Sequence, residues 1–136
     1  MRNYSRGVTL MELLVVMTVL GILAAIAIPT YRNYVIRANR SDAKTALLAA
    51  AGVLERCFTQ FNSYAAADGC TAVFPVTSTN GIYRVTAPTQ TSIAFALTAA
   101  PQGGQTADTD CGNFTLNSAN VRGVSGTKTA QQCWGR

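Results

Sequence analysis

Gly7-Val8-Thr9-Leu10-Met11-Glu12-Leu13-Leu14-Val15-Val16-Met17 opens an apolar run that continues through Gly21 to Ile28. From Val8 to Ile28 the only acidic or basic side chain is Glu12. The uncharged part after it is long enough to cross most or all of a bilayer as a helix, which takes about 20 residues. An ionised carboxylate at the centre of such a helix costs about 2.5–3.5 kcal/mol, and Glu12 sits near one end, where the cost is smaller but real. An acid kept in that position is read as functional. The plainer alternative is a signal anchor whose acid reaches back to the headgroups.

The order of residues around Glu12 weighs against the plainer alternative. A short basic leader, Arg2 and Arg6, ends in Gly7; the apolar run follows directly, and the acid is the fifth residue after that glycine. A secretory signal peptide would place a small-residue cleavage site after its apolar region, and Ile28-Pro29-Thr30-Tyr31 does not fit one. The arrangement resembles the class III leader of type IV pilins and related pseudopilins, in which a dedicated prepilin peptidase cuts after the glycine and methylates the new amino terminus. The resemblance implies cleavage after Gly7, N-methylation of Val8, and Glu12 as the acid that pairs with the terminal amine of a neighbouring subunit. Two positions depart from the commonest form of the motif: Val8 stands where an aromatic residue is usual and Met11 where Ile or Leu is usual. Both remain apolar.

The rest of the chain fits one small exported domain on this anchor. It has 136 residues with 11 basic and 6 acidic side chains, and loss of the leader with Arg2 and Arg6 leaves a modest, scattered positive balance. That balance is weak support for nucleic-acid binding. Histidine is absent, which removes the commonest general base and metal ligand, and no nucleophile motif is present, so an anchored enzyme has no support and neither catalytic residues nor a cofactor are expected. Cys57, Cys70, Cys111 and Cys133 lie beyond the apolar run, and an even count in a small exported domain argues for two disulfides. No two of them form a C-x-x-C knuckle, so a zinc site is not expected.

Pro29 ends the apolar segment. It has no N–H for the carbonyl of Ala25, and Gly21 weakens the same region, so the helix is expected to kink or come undone locally. The helical pattern resumes with Tyr31, Tyr34, Val35 and Ala38, then Leu47, Ala50, Val53, Leu54, Cys57 and Phe61. A helix from about Met11 to Gln60 would be ~75 Å long at its usual rise, more than so small a globule can cover. Its first half, apolar on every face, is therefore expected to be buried elsewhere, in a bilayer or by copies of itself. The basic cluster Arg32, Arg37, Arg40 and Lys44 reads either as a solvated face or as contacts to acids of neighbouring subunits.

Beyond Asn62 the texture changes to short segments between turn residues. Ala72–Val76 reads as extended but holds Pro75. Ile82–Thr86 alternates, Pro88-Thr89-Gln90-Thr91 reads as a turn, and Ser92–Thr98 alternates with Ile93, Phe95 and Leu97 on one face. A polar loop spans Pro101–Asp110, where Asp108-x-Asp110 reads as solvated acids in preference to a calcium pair. A third strand carries Phe114 and Leu116. The predicted fold class is α+β, with the second half of a long amino-terminal helix packed on a small antiparallel sheet. Four cysteines allow three connectivities and spacing does not choose among them. We favour Cys57 with Cys70, tying the helix end to the following loop, and Cys111 with Cys133, closing the carboxyl-terminal loop.

The resemblance extends along the chain. Ile28-Pro29-Thr30-Tyr31-Arg32-Asn33-Tyr34-Val35 looks like a type IVa pilin more than a type II secretion pseudopilin. Asp110-Cys111-Gly112-Asn113-Phe114-Thr115-Leu116, then Arg122-Gly123 and Cys133-Trp134, is similar to the small PilE-type minor pilins. It implies a leader at 1–7, a transmembrane and filament-core segment at 8–30 whose Gly21-to-Pro29 part loses helical form in the filament, and an α+β head at 31–136. The implied role is a structural pilus subunit contributing to assembly, twitching motility and adhesion. Its partners would be other pilin subunits, the prepilin peptidase and an inner-membrane assembly platform. Its place would be the inner membrane of a Gram-negative bacterium before assembly and the extracellular filament after. The alternatives are a DNA- or surface-binding receptor pilin and a pseudopilin. Clustering of Arg84, Arg122, Lys128 and Arg136 with aromatic residues on one exposed face would mark the DNA-binding one.

Overall fold

The structure, a computed structural model, describes residues 8–135. Gly7, the expected cleavage position, and Arg136 lie outside them. The chain divides into two units at Val35 and Ile36. One helix, α1 (Leu10–Phe61, 52 residues), contributes to both.

In the first unit, α1 begins one residue earlier than the apolar pattern suggested, because Thr9 caps it. The Glu12 N–H donates to Thr9 Oγ1 at 3.2 Å, and the Leu13 N–H donates to Thr9 O at 3.2 Å. The segment is long and apolar enough to cross a membrane, and its side chains are exposed in the single chain. Its two interior hydroxyls turn back on the helix: Thr18 Oγ1 donates to Leu14 O at 2.8 Å and Thr30 Oγ1 to Ile26 O at 2.9 Å. Both polar groups are thus satisfied without water, as a hydrocarbon setting demands. Of the two outcomes expected around Gly21 and Pro29, a kink or a local loss of helix, the second does not occur in the single chain, where α1 is helical through both residues. Proline removes only its own donor, the one for the Ala25 carbonyl, and the helix continues on either side of it.

The second unit holds the remainder of α1, from Ile36 to Phe61, and a five-stranded antiparallel sheet in the order β1-β2-β3-β4-β5. The strands are β1 (Val76–Thr77), β2 (Tyr83–Gln90), β3 (Phe95–Pro101), β4 (Phe114–Asn117) and β5 (Arg122–Val124), and a short helix α2 (Ala130–Trp134) closes the chain. One stripe of α1, Ala43, Leu47, Ala50, Leu54 and Cys57, packs in one core with Tyr83, Val85, Phe95, Leu97, Ala99, Phe114 and Leu116 of the sheet. The spacing of three and four along the helix and of two along the strands is what lets each element present a single apolar face. Complete burial of Leu47, Leu54 and Leu97 contributes about 1.5–3 kcal/mol each. Disulfides join Cys57 to Cys70 and Cys111 to Cys133, across 13 and 22 positions. Loops of this size gain about 3 kcal/mol each from closure in the chain-entropy account.

Three local expectations are corrected. β2 does not stop before Pro88 but runs to Gln90, because the register shifts between Thr86 and Thr89 and the proline falls where the ladder needs no N–H. The hairpin turn lies instead at Thr91–Ala94, where the Thr91 N–H and Oγ1 both donate to Ala94 O at 2.8 and 3.0 Å. Ile93, expected on the inner face, is in that turn and 81% exposed. The extended reading of Ala72–Val76 reduces to β1, which pairs only Val76 and Thr77 with Val85 and Arg84. β5 and α2 were not expected. α2 is nonetheless announced by a capping box, in which Thr129 Oγ1 accepts from the Gln132 N–H and Gln132 Oε1 accepts from the Thr129 N–H.

The carboxyl-terminal segment crosses directly over residues 109–111. Gly126 N–H donates to Cys111 O at 3.0 Å and Lys128 N–H to Asp110 O at 2.8 Å. A Cβ on Gly126 would strike the backbone of Asp110 and stand 2.6 Å from Cys111 N, so only glycine fits. Gly126→Ala is expected to cost about 1–3 kcal/mol through overpacking. In a thermal melt of the oxidised protein that is a fall of several degrees in Tm; an unchanged Tm would show that the crossing is loose.

Candidate functional site

Glu12 is the third residue of α1, with Thr9 as its cap, so its carboxylate sits at the end of the helix where the macrodipole favours negative charge. Among the described residues it has no ion-pair partner. Val8, one residue before the cap, is 72% exposed. From Leu10 to Thr30, α1 thus presents one carboxylate near its head, and its other side chains are apolar apart from Thr18 and Thr30. Thr9 was missed at the sequence level, although Thr9-x-x-Glu12 is the spacing of an amino-terminal capping signature.

The basic cluster after Tyr31 does not act as one surface. Arg40 is buried in the head, and its Nε and one terminal nitrogen donate to Asp108 Oδ2 and Oδ1, both at 2.8 Å. This fork matches a carboxylate in two parallel bonds, a geometry lysine cannot copy. The hydrogen bond to Asp108 raises the Arg40 pKa further above its usual value. Asp108 also accepts from the Cys111 N–H at 3.3 Å, so the pair holds the start of the disulfide-closed loop. Asp110 binds Lys128 at 2.7 Å and Arg40 at 3.5 Å, and the bond to Lys128 holds its carboxyl below the ordinary range. The solvated reading of Asp108-x-Asp110 is therefore corrected for Asp108, which is 3% exposed. Lys44 is also turned to the head, donating from Nζ to Trp134 O at 3.2 Å.

A second polar contact lies beside this pair. Gln105 accepts from Asn39 Nδ2 at 3.1 Å and donates from Nε2 to Ile36 O and to Tyr83 Oη, both at 3.0 Å. Burial pushes the Tyr83 phenol up to about 12. The Arg40 contact was legible in principle. Arg40 stands four and three positions from Ile36 and Ala43, on the same stripe as the core residues, where a charge must find a buried partner.

The clustering that would mark the DNA-binding alternative is not found among Arg84, Arg122 and Lys128. Arg84 is opposite Ala100 on the sheet face away from Tyr83 and Val85, whereas Arg122 is opposite the inward Leu116 and lies 5.2 Å over the Trp134 ring. Lys128 is occupied by Asp110, and Arg136 is outside the described residues. Among the described residues no group of three or more Cys, Asp or Glu is placed to hold a metal ion.

Comparison with known proteins gives this geometry a family. Residues 2–28 match the prokaryotic amino-terminal methylation motif, and residues 29–115 match the model described as type IV minor pilin ComP, DNA uptake sequence receptor. The chain belongs to this family of type IV minor pilins. Pilins are structural proteins, not enzymes. The crystal structure of the non-core minor pilin PilV of Neisseria meningitidis is similar over 69% of this chain and 90% of that one, with 26% identity and a TM-score of 0.54. A fimbrial protein of Moraxella nonliquefaciens is 51% identical over 43 residues, 32% of this chain and 28% of that protein. The major fimbrial protein FimA of Dichelobacter nodosus is 51% identical over 41 residues, 30% of this chain and 26% of that protein. These matches span about a quarter of the length of those relatives.

The ion pair carries a direct test. Arg40→Ala or Asp108→Ala leaves one buried charge alone and is expected to cost about 3–5 kcal/mol in urea unfolding. Arg40→Lys should recover only part of it. Loss of less than about 1 kcal/mol in either alanine variant would place the pair among weak surface bridges.

Proposed function

We propose that this chain is a minor subunit of a type IV pilus. In this reading a prepilin peptidase removes residues 1–7 after Gly7 and methylates the amine of Val8. The segment 8–30 holds the subunit in the inner membrane until an assembly platform feeds it into the extracellular filament of a Gram-negative cell. There it contributes to twitching motility and adhesion. The observation that carries the reading is Glu12, a lone carboxylate at the capped end of a helix otherwise exposed as hydrocarbon, with Leu10 79%, Val16 51% and Ile28 60% exposed. Such a surface has to be covered by lipid or by copies of itself. In a filament core with little water, the carboxylate is tolerable only beside a cation, and the amine of a neighbour's Val8 is the one that processing creates nearby. Packing of the copies would be accompanied by local loss of helix between Gly21 and Pro29.

Glu12→Ala is therefore expected to leave cleavage between Gly7 and Val8, membrane insertion and both disulfides intact while strongly reducing the share of this chain in sheared pili relative to the membrane pool. Equal incorporation of variant and wild type would return Glu12 to the role of an incidental anchor residue.

A second reading, reception of DNA by the head, is favoured by the description of the family model that matches 29–115. The head offers few free cations for it, since Arg40, Lys44 and Lys128 are engaged internally. Binding of duplex DNA to the oxidised protein should then weaken with added salt along a shallow slope, and Arg84→Ala should reduce that slope by about one. Binding that ignores both salt and Arg84 would rule out a phosphate-led contact on that sheet face.

A further inference from the structure

Asn80-Gly81 is the sole Asn-Gly pair in the sequence. It lies in the connection between β1 and β2, where the Gly81 N–H donates to Ser78 O at 2.9 Å and Gly81 has φ of +73°. A glycine after asparagine leaves its main-chain nitrogen free to approach the asparagine Cγ with no Cβ in the way. In the fold, the groups that this approach needs are all engaged. Asn80 Nδ2 donates to Asp42 Oδ1 at 3.1 Å, the Asn80 N–H donates to the same oxygen at 3.4 Å, and the Gly81 N–H is held by Ser78. Asp42 is on α1, 7% exposed, and its Oδ2 has no donor among the described residues.

We propose that Asn80 is a modification site, converted by deamidation and guarded by Asp42. The Gly81 nitrogen gives up its proton and forms a bond to Asn80 Cγ; the Cγ–Nδ2 bond breaks and ammonia leaves carrying that proton. Water then opens the cyclic imide at one of its two carbonyls, giving aspartate or isoaspartate. The balance is amide plus water to carboxylate plus ammonium, with no oxidant or reductant. The folded connection slows the first step because Ser78 keeps the Gly81 proton in a hydrogen bond and because the Asp42 charge repels the negative nitrogen and oxygen that develop beside it. Escape needs only local opening of a two-residue edge strand, an element from the low-stability end of a fold. The product cannot return to its place. Asp42 Oδ1 loses the Nδ2–H donor and faces a second carboxylate, Oδ2 has no donor to compensate, and two carboxylates so close resist joint ionisation. The connection therefore stays detached from α1 once the change has occurred.

The test incubates the oxidised protein in mildly alkaline buffer and follows Asn80 by peptide mapping, which separates aspartate from isoaspartate. An unstructured peptide covering Thr77–Tyr83 sets the unguarded rate. Wild type is expected to be much slower than the peptide, and Asp42→Ala about tenfold or more faster than wild type, the order expected for losing bonds to a charged group. Leu54→Ala, a core variant that leaves the Asp42 contacts in place, should change the rate less. Wild type as fast as the peptide, or Leu54→Ala as fast as Asp42→Ala, would overturn the guard. If Asp42→Ala does not fold, Tm values decide. Asn80→Asp should lower Tm by several degrees and the double variant Asp42→Asn with Asn80→Asp should recover it. No loss, or no recovery, overturns the proposal.

Discussion

The fork between Arg40 and Asp108 is the contact on which the carboxyl-terminal half of the head depends. Little apolar material lies between Gly103 and Asp110, so packing alone would not hold that segment to α1. Asp108 at 3% exposure and Gln105 at 3% do so with charge and hydrogen bonds instead. Removing two charges from water is costly, and the cost is recovered here only because both nitrogens of the fork are used and Asp108 accepts a backbone N–H as well. The loop so fixed then carries Cys111 to Cys133 and Asp110 to Lys128. Trp134 is brought over Phe114, with ring centroids 5.8 Å apart, and its indole N–H donates to Gly123 O at 3.0 Å.

The amino-terminal unit follows a different rule. Between Leu10 and Thr30 its side-chain hydroxyls bond within the helix, through Thr18 and Thr30, and Thr9 caps the first turn. Among the described residues from Val8 to Thr30, the Glu12 carboxylate is the one charged group. An apolar segment with a single charge has a surface acceptable both to lipid and to other apolar helices, and the charge alone distinguishes the two settings.

Sequence by itself determined the elements whose physics is local. The apolar run from Val8 to Ile28 behind Arg2, Arg6 and Gly7 can be read without a partner, as can an apolar stripe at spacings of three and four from Leu47 to Cys57, or alternation through Phe95, Leu97, Phe114 and Leu116. Two caps, Thr9 and Thr129, were equally local and were there to be read. What only tertiary structure decided was everything set by distant partners. Whether Arg40 faced solvent or the core depended on Asp108, 68 positions away. The path of β2 through Pro88 depended on a register shift against β3, and the same hairpin put Ile93 in a turn. Arg84, Arg122 and Lys128 do not share one surface, because sheet pairing sends two of them to opposite faces and Asp110 engages the third. Periodicity reports which face of an element is apolar. It carries no information on which charge meets which, and that is fixed only when the sheet order and the loop closures bring remote residues within bonding distance.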